Sequence, residues 1–246
     1  MLLDLCESSY LDVLRKIHMR TFSCYLEIGA RSGRSLSLSR SPSIAIDPYF
    51  KIEEELMKEK QRLSLFQCTS DVFFEQHGAF LEQAPIEVAF VDGMHLFEYV
   101  LRDISNTANY TASSSVILVH DVLPTTFGMA TRKYEAITPG APWTGDVWKV
   151  IPILARFVPR EDIVLIPAKP TGLLALFNLS KKESFEVFSS IELLISEWRD
   201  CDLSTFGPEE VYESATLCSS DCFLERVKDE EIGSICSNLK HSWVSP

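Results

Sequence analysis

Five apolar runs in this chain each carry an acid at or near their end: Glu27, Asp47, Asp71, Asp92 and, after His120, Asp121. The histidines lie at 18, 77, 95, 120 and 241, and two of them, His95 and His120, fall beside the last two acids. Ionised carboxylates only accept hydrogen bonds, which suits them to hydroxyls and cations. An imidazole with an ordinary pKa near ~6.5 takes or gives a proton near neutrality. Two histidines and two aspartates together could hold a transition metal, or one histidine could act as a general base. The plain alternative is that each acid caps a helix or a turn, His95 caps the next helix and His120 bonds backbone. Five acids in series weigh toward a site.

The runs "CYLEIG", "SIAIDP", "LSLFQCTSD", "VAFVDG" and "VILVHD" alternate with stretches able to form helices, including 51–63 and 96–108. That pattern predicts a parallel sheet with helices on both faces, closed by an antiparallel pair from "DIVLIPA" and "GLLALFNL" around "KPTG". The expected class is α/β, a doubly wound, mostly parallel, seven-stranded Rossmann-like sheet. The domain is expected over 1–180, with an N-terminal helix within 1–22. An appended helical extension, 181–246, is expected to pack on it and cover the site or form a homodimer contact. In such sheets ligands bind at the carboxyl ends of the strands. The fragment "YLEIGARSGRSL" then places Gly29 at a tight turn and Gly33 at a helix start against a ligand. Its E-x-G-x-x-x-G spacing puts Arg31 where a dinucleotide motif needs glycine, which disfavours a nicotinamide dehydrogenase.

The 246 residues carry a formal charge of −12, which excludes a non-specific nucleic-acid binder. No apolar run reaches the ~20 residues of a membrane span, and the N-terminus lacks the pattern of a signal peptide. Seven cysteines without a CxxC pair fit free thiols in a cytoplasmic protein.

The ordered set "YLEIGARSGRSL", "IAIDP", "VAFVDGMHLFEYVLRDI" and "VILVHD" resembles the motifs of class I S-adenosylmethionine-dependent methyltransferases. It is similar above all to a small bacterial branch reading E-I-G-x-x-x-G-x-S, then D-G-x-H, then H-D. The resemblance spans roughly residues 10 to 180. It implies S-adenosylmethionine as cofactor, with Glu27, Gly29, Ala30, Gly33 and Ser35 bordering its methionine part. It further implies Asp47 at the ribose hydroxyls, Ser70 and Asp71 near the adenine, and Asp92 beside the cofactor. Some relatives hold magnesium between acids matching Asp92 and Asp121, so Mg2+ or another divalent ion is a second implied cofactor. The chain departs from them in carrying Val122 after the second aspartate.

Between the metal and a metal-free base, the expectation is the base, with catalytic His95 ahead of His120 and Asp92 beside them. The run "PWTGDVWKV" offers Trp143, Trp148 and Lys149 as substrate contacts, or alternatively a helix entry with Trp148 in the core. The turn-rich connection from Asp121 to Trp143 is long enough to be a lid. The expected function is methyl transfer to a hydroxyl, less readily an amine, of a small specialised metabolite or sugar. The rivals are a same-fold metal-dependent enzyme, hydroxylase-like, and a non-catalytic methyltransferase-like protein that binds a partner.

Overall fold

A computed structural model describes residues 2–6, 8–137, 142–179 and 181–229. Residues 138–141 of the long connection and the stretch from 230 onward, with Cys236 and His241, lie outside the described residues. Eight strands form one sheet: β1 (Tyr25–Ile28), β2 (Ser43–Ile46), β3 (Leu63–Phe66), β4 (Ile86–Val91), β5 (Thr111–His120), β6 (Ile163–Ile166), β7 (Leu173–Phe177) and β8 (Thr216–Leu217). Their order is β3-β2-β1-β4-β5-β7-β6-β8. The first five pair in parallel, and β7 runs antiparallel to both β5 and β6. Seven strands match the sequence expectation, and the eighth is a two-residue addition from the extension, parallel to β6. The order turns back at β1, between β2 and β4, so the ligand crevice belongs above their carboxyl ends.

The helices are α1 (Tyr10–Ile17), α2 (Ser70–His77), α3 (Phe97–Ala108), α4 (Val150–Leu154), α5 (Lys181–Ser189), α6 (Ile191–Trp198), α7 (Leu203–Phe206), α8 (Pro208–Glu213) and α9 (Ser220–Asp229). Helix α1 starts with a capping box in which Ser9 and Asp12 each satisfy the other's backbone N–H. Its buried Val13, Leu14 and Ile17 meet the sheet face that carries Tyr25, Val88, Phe90 and Leu118, and Phe223 of α9 joins them. Leu26, Ile28, Val91 and Val119 point the other way, onto α3, α4 and the extension's Val187, Ile191, Leu194 and Trp198. Strand alternation thus serves two cores from one sheet. Among the described residues no helix is long and apolar enough to cross a membrane. No disulfide joins the described cysteines.

The segment 51–63 corrects the sequence reading: it forms no helix, and only Leu56 and Lys60 within it are buried before β3 begins. Its backbone is spent elsewhere, with Lys51 N–H on Arg31 O at 2.8 Å and Glu53 N–H on Ser32 O at 3.0 Å. Of its apolar residues before β3, Leu56 is buried while Ile52 and Met57 stay exposed, so no apolar stripe is packed there to hold a helix. Likewise, after Gly33 there is only a 3-10 turn, Leu36–Leu38, where a helix was expected. The layer over the α1 face is therefore thin, and the loops after β1 and β2 lie open to the crevice.

The extension is held by a buried cation. Lys149 Nζ donates to Trp198 O at 2.7 Å and Arg199 O at 3.1 Å, at the end of α6, and pairs with Asp146 at 2.9 Å.

Candidate active site

A cavity of about 660 Å3 opens over the carboxyl ends of β1, β2, β4 and β5. That volume suits a ligand of cofactor size. Of the residues singled out from sequence, it is lined by Gly29, Ala30, Ser35, Asp47, Ser70, Asp71, Asp92, His95, His120 and Asp121.

At one end the main chain sets the geometry. Gly29, at φ +89, has no room for a side chain, because a Cβ would sit 2.0 Å from the carbonyl oxygen of Asp92. The glycine is therefore demanded by the neighbouring strand end, with the crevice as the result. Asp47 accepts from Arg31 N–H at 2.8 Å and Tyr49 N–H at 2.7 Å, one bond to each oxygen. Each oxygen keeps a lone pair for a hydroxyl in the cavity. Asp71, at the start of α2, is gripped in two-pronged fashion by Arg102, at 3.0 and 3.2 Å, and that guanidinium lies over Tyr99.

At the other end side chains converge from five segments. His95 Nδ1 donates to Trp143 O at 2.8 Å, and its ring lies along the Trp143 ring. Its Nε2 then faces Asp121 Oδ2 at 3.2 Å and Asp92 Oδ1 at 3.8 Å. The same two oxygens meet His120 Nδ1, at 3.5 Å and 3.2 Å. Tyr10 from α1 stacks on the His120 ring, with centroids 4.2 Å apart. Burial opposes a charge on His120, but the carboxylates of Asp92 and Asp121 outweigh it and raise the pKa to about 10. Burial would likewise raise Asp121, yet His120 beside it brings it below the usual carboxylate range. The Tyr10 hydroxyl is pushed up to about 12, by burial first and then by the charge of Asp92. His120 is thus a cation held between two anions, whereas the partly buried His95 has its Nε2 oriented by the backbone acceptor at Nδ1.

Four sequence assignments change place. Glu27 does not line the cavity; it is buried beneath, accepting from Tyr25 Oη at 2.7 Å and Ser35 Oγ at 2.6 Å. Gly33 faces Leu56, 2.7 Å from where its Cβ would be, and not a ligand. Trp148 is buried against Trp198 and Phe206, so the helix-entry reading describes it. Lys149 is committed to Asp146 and α6 and offers nothing to a substrate. Trp143 is the one of that group beside the site, through His95. Asp146 organises this corner: it accepts from Phe97 N–H at 3.0 Å at the start of α3 and from Arg132 at 2.6 Å. Gly145 lies so close to His95 that a Cβ would overlap the His95 carbonyl oxygen at 1.6 Å.

Sequence reasoning missed Tyr10, Thr69, Arg34, Met94 and Tyr99, all of which line the cavity. It also missed Thr171, which donates to Asp121 from the turn before β7. Tyr10 reads simply as a helix start and Thr171 as part of a turn, so neither carries a motif.

The donor set fits a divalent cation. Asp92, His95 and Asp121 each offer one ligand atom, all within 4.8 Å of one another. A histidine whose second nitrogen donates to a backbone carbonyl is the usual outer arrangement of such a ligand.

Residues 26–122 match the methyltransferase domain family. A comparison with curated proteins finds no match. Among solved structures, the O-methyltransferase TomG of Streptomyces achromogenes, involved in tomaymycin synthesis and bound to SAM, is 18% identical at a TM-score of 0.44, over 70% of this chain and 82% of that one. An O-methyltransferase from Bacillus cereus in complex with SAH is 14% identical at a TM-score of 0.43, over 68% and 78%. The MycE methyltransferase of the mycinamycin pathway, in complex with Mg, SAH and mycinamycin VI, is 15% identical at a TM-score of 0.39, over 68% of this chain. The match spans only 47% of the MycE chain. The stretch that matches the methyltransferase domain model thus runs from β1 to the acids that follow β4 and β5.

Proposed function

We propose that this chain is an S-adenosylmethionine-dependent methyltransferase acting on a hydroxyl of a small molecule. The observation that carries this is one cavity with two unlike ends: a backbone-held Asp47 at one, and the Asp92, His95, His120, Asp121 cluster at the other. The first end suits ribose hydroxyls, which donate to the free lone pairs of Asp47, with Ser70 and Asp71 flanking the adenine. S-adenosylmethionine, when bound, supplies an electrophilic methyl group on sulfur. The second end suits an acceptor hydroxyl that must lose its proton as it attacks.

His95 takes that proton at Nε2, since Trp143 O fixes Nδ1 as the donor nitrogen. Asp121 and Asp92 stabilise the charge that this places on the imidazole. His120 is the poorer base because it already carries a proton between two carboxylates. Where a divalent ion is present, Asp92, His95 and Asp121 are the residues that would hold it, and it would lower the pKa of a bound hydroxyl. An amine is the less suited acceptor, and the surroundings of the site favour a small molecule over a polymer: the cavity is a cleft and the chain carries a net charge of −12.

Calorimetry with S-adenosylhomocysteine tests the cofactor half. One equivalent should bind, and Asp47→Ala should weaken it about 10- to 100-fold, as losing a hydrogen bond to a charged group does. Equal affinity in the variant removes Asp47 from the ribose, and no binding in the wild type sinks the reading. Repeating turnover after EDTA separates the two chemistries: loss restored by one divalent ion assigns the metal, and unchanged turnover assigns His95.

A further inference from the structure

We infer that Thr171 is a positioning residue for methyl transfer, holding Asp121 and His120 in the orientation that the reaction needs. The inference rests on the functional reading above. Thr171 sits in the turn between β6 and β7, is only 2% exposed, and donates from Oγ to Asp121 Oδ1 at 2.5 Å. The same oxygen lies 3.4 Å from His120 Nε2. A threonine hydroxyl has one proton, and a carboxylate can only accept it. Thr171 therefore presents a lone pair to His120 and accepts its Nε2–H.

The turn is fitted to this task. Leu123 N–H donates to Thr171 O at 2.7 Å, so main chain and side chain both join the turn to the segment after β5. Gly172, at φ +73, leaves space that Leu123 fills; a Cβ there would lie 2.6 Å from the leucine side chain. Asp121 itself has φ +61, a left-handed conformation that aspartate tolerates better than most residues. With Oδ1 engaged by Thr171, Oδ2 is left facing His95 Nε2 at 3.2 Å and His120 Nδ1 at 3.5 Å. Without the hydroxyl, Asp121 is free to turn about its last bond, and its alignment with His95 is lost.

The test uses the full chain with 15N-labelled histidine, as wild type, Thr171→Val and Thr171→Ser. Valine keeps the shape and removes the hydroxyl; serine keeps the hydroxyl. The His120 Nε2 proton should be protected from exchange in the wild type, exchange about ten-fold faster in the valine variant, and regain protection in the serine variant. Turnover should fall about 100-fold with valine, recover with serine, and leave the KM for S-adenosylmethionine unchanged. Equal exchange in wild type and valine variant, or no recovery with serine, overturns the proposal. Should the valine variant fail to fold, the wild type decides, because a fast-exchanging Nε2 proton on His120 contradicts the bond to Thr171. S-adenosylhomocysteine affinity is measured alongside: its absence in all three chains indicts the cofactor reading, while the Nε2 proton still judges Thr171.

Discussion

At the Asp47 end of the cavity, position is set by main chain: Gly29 yields to the Asp92 carbonyl, and two backbone N–H groups hold one carboxylate. At the Asp92 and Asp121 end, position is set by side chains from α1, the loop after β4, the end of β5, the Trp143 segment and the Thr171 turn. The first arrangement involves residues 29 to 49 and the Asp92 carbonyl, and forms as soon as three neighbouring strands pair. The second needs segments more than a hundred residues apart to dock together. A local device tolerates change in its surroundings, whereas an assembled one depends on every contributor.

Three perturbations sharpen this contrast, from the largest effect down. Replacing His95 by alanine should slow transfer by roughly 10²–10⁴ while S-adenosylhomocysteine binds as before. Comparable affinity losses in His95→Ala and Asp47→Ala, measured by calorimetry, would erase the distinction between the two ends. Next, Lys149→Ala leaves two carbonyls at the end of α6 without their donor and Asp146 with Arg132 as its remaining cation, and should cost about 2–5 kcal/mol of stability, as two buried acceptors left unsatisfied do. Urea denaturation reads this directly, and a loss below about 1 kcal/mol would mean that the extension is held by apolar contacts instead.

The third perturbation concerns Glu27, beneath the Asp47 end. Burial pushes its pKa up to about 7, against the opposing hydrogen bonds from Ser35 and Tyr25. An acid raised in the folded state keeps its proton after the unfolded chain has lost it. Stability should therefore be highest below about pH 4.3 and fall as pH rises toward the folded value, by about 3 kcal/mol from this group. Glu27→Gln should flatten that slope between about pH 4.5 and 7 in urea titrations. An unchanged slope would assign the dependence to another buried acid, Asp103, whose pKa burial also raises to about 7.

The same contrast explains what could be read from the residues. The sheet was legible because strand alternation and the acids after β2, β4 and β5 are local patterns, and Asp47, Asp92, His95, His120 and Asp121 all reach the cavity. The helix expected at 51–63 was not, because the backbone bonds that replace it go to Arg31 and Ser32, far off in sequence. Gly33 misled for a similar reason: a glycine signals lack of space without saying which neighbour fills it, here Leu56. Trp148 and Lys149 carry residue types common to pockets and cores, and only the position of α6 decides between them. Tyr10 and Thr171 had no local signature, since each matters only through the fold's placement of His120 and Asp121.

The buried ammonium of Lys149 also sets an order of events during synthesis. Its partner Arg199 O lies 50 residues further along the chain. At about 5–20 residues per second, translation delivers that oxygen several seconds after the lysine itself. Until then the Asp146 corner, which starts α3 and carries Arg132 and the approach to His95, has a cation whose remaining N–H groups only water can satisfy. The nascent protein can therefore close its ribose end while its catalytic corner still waits for the ribosome.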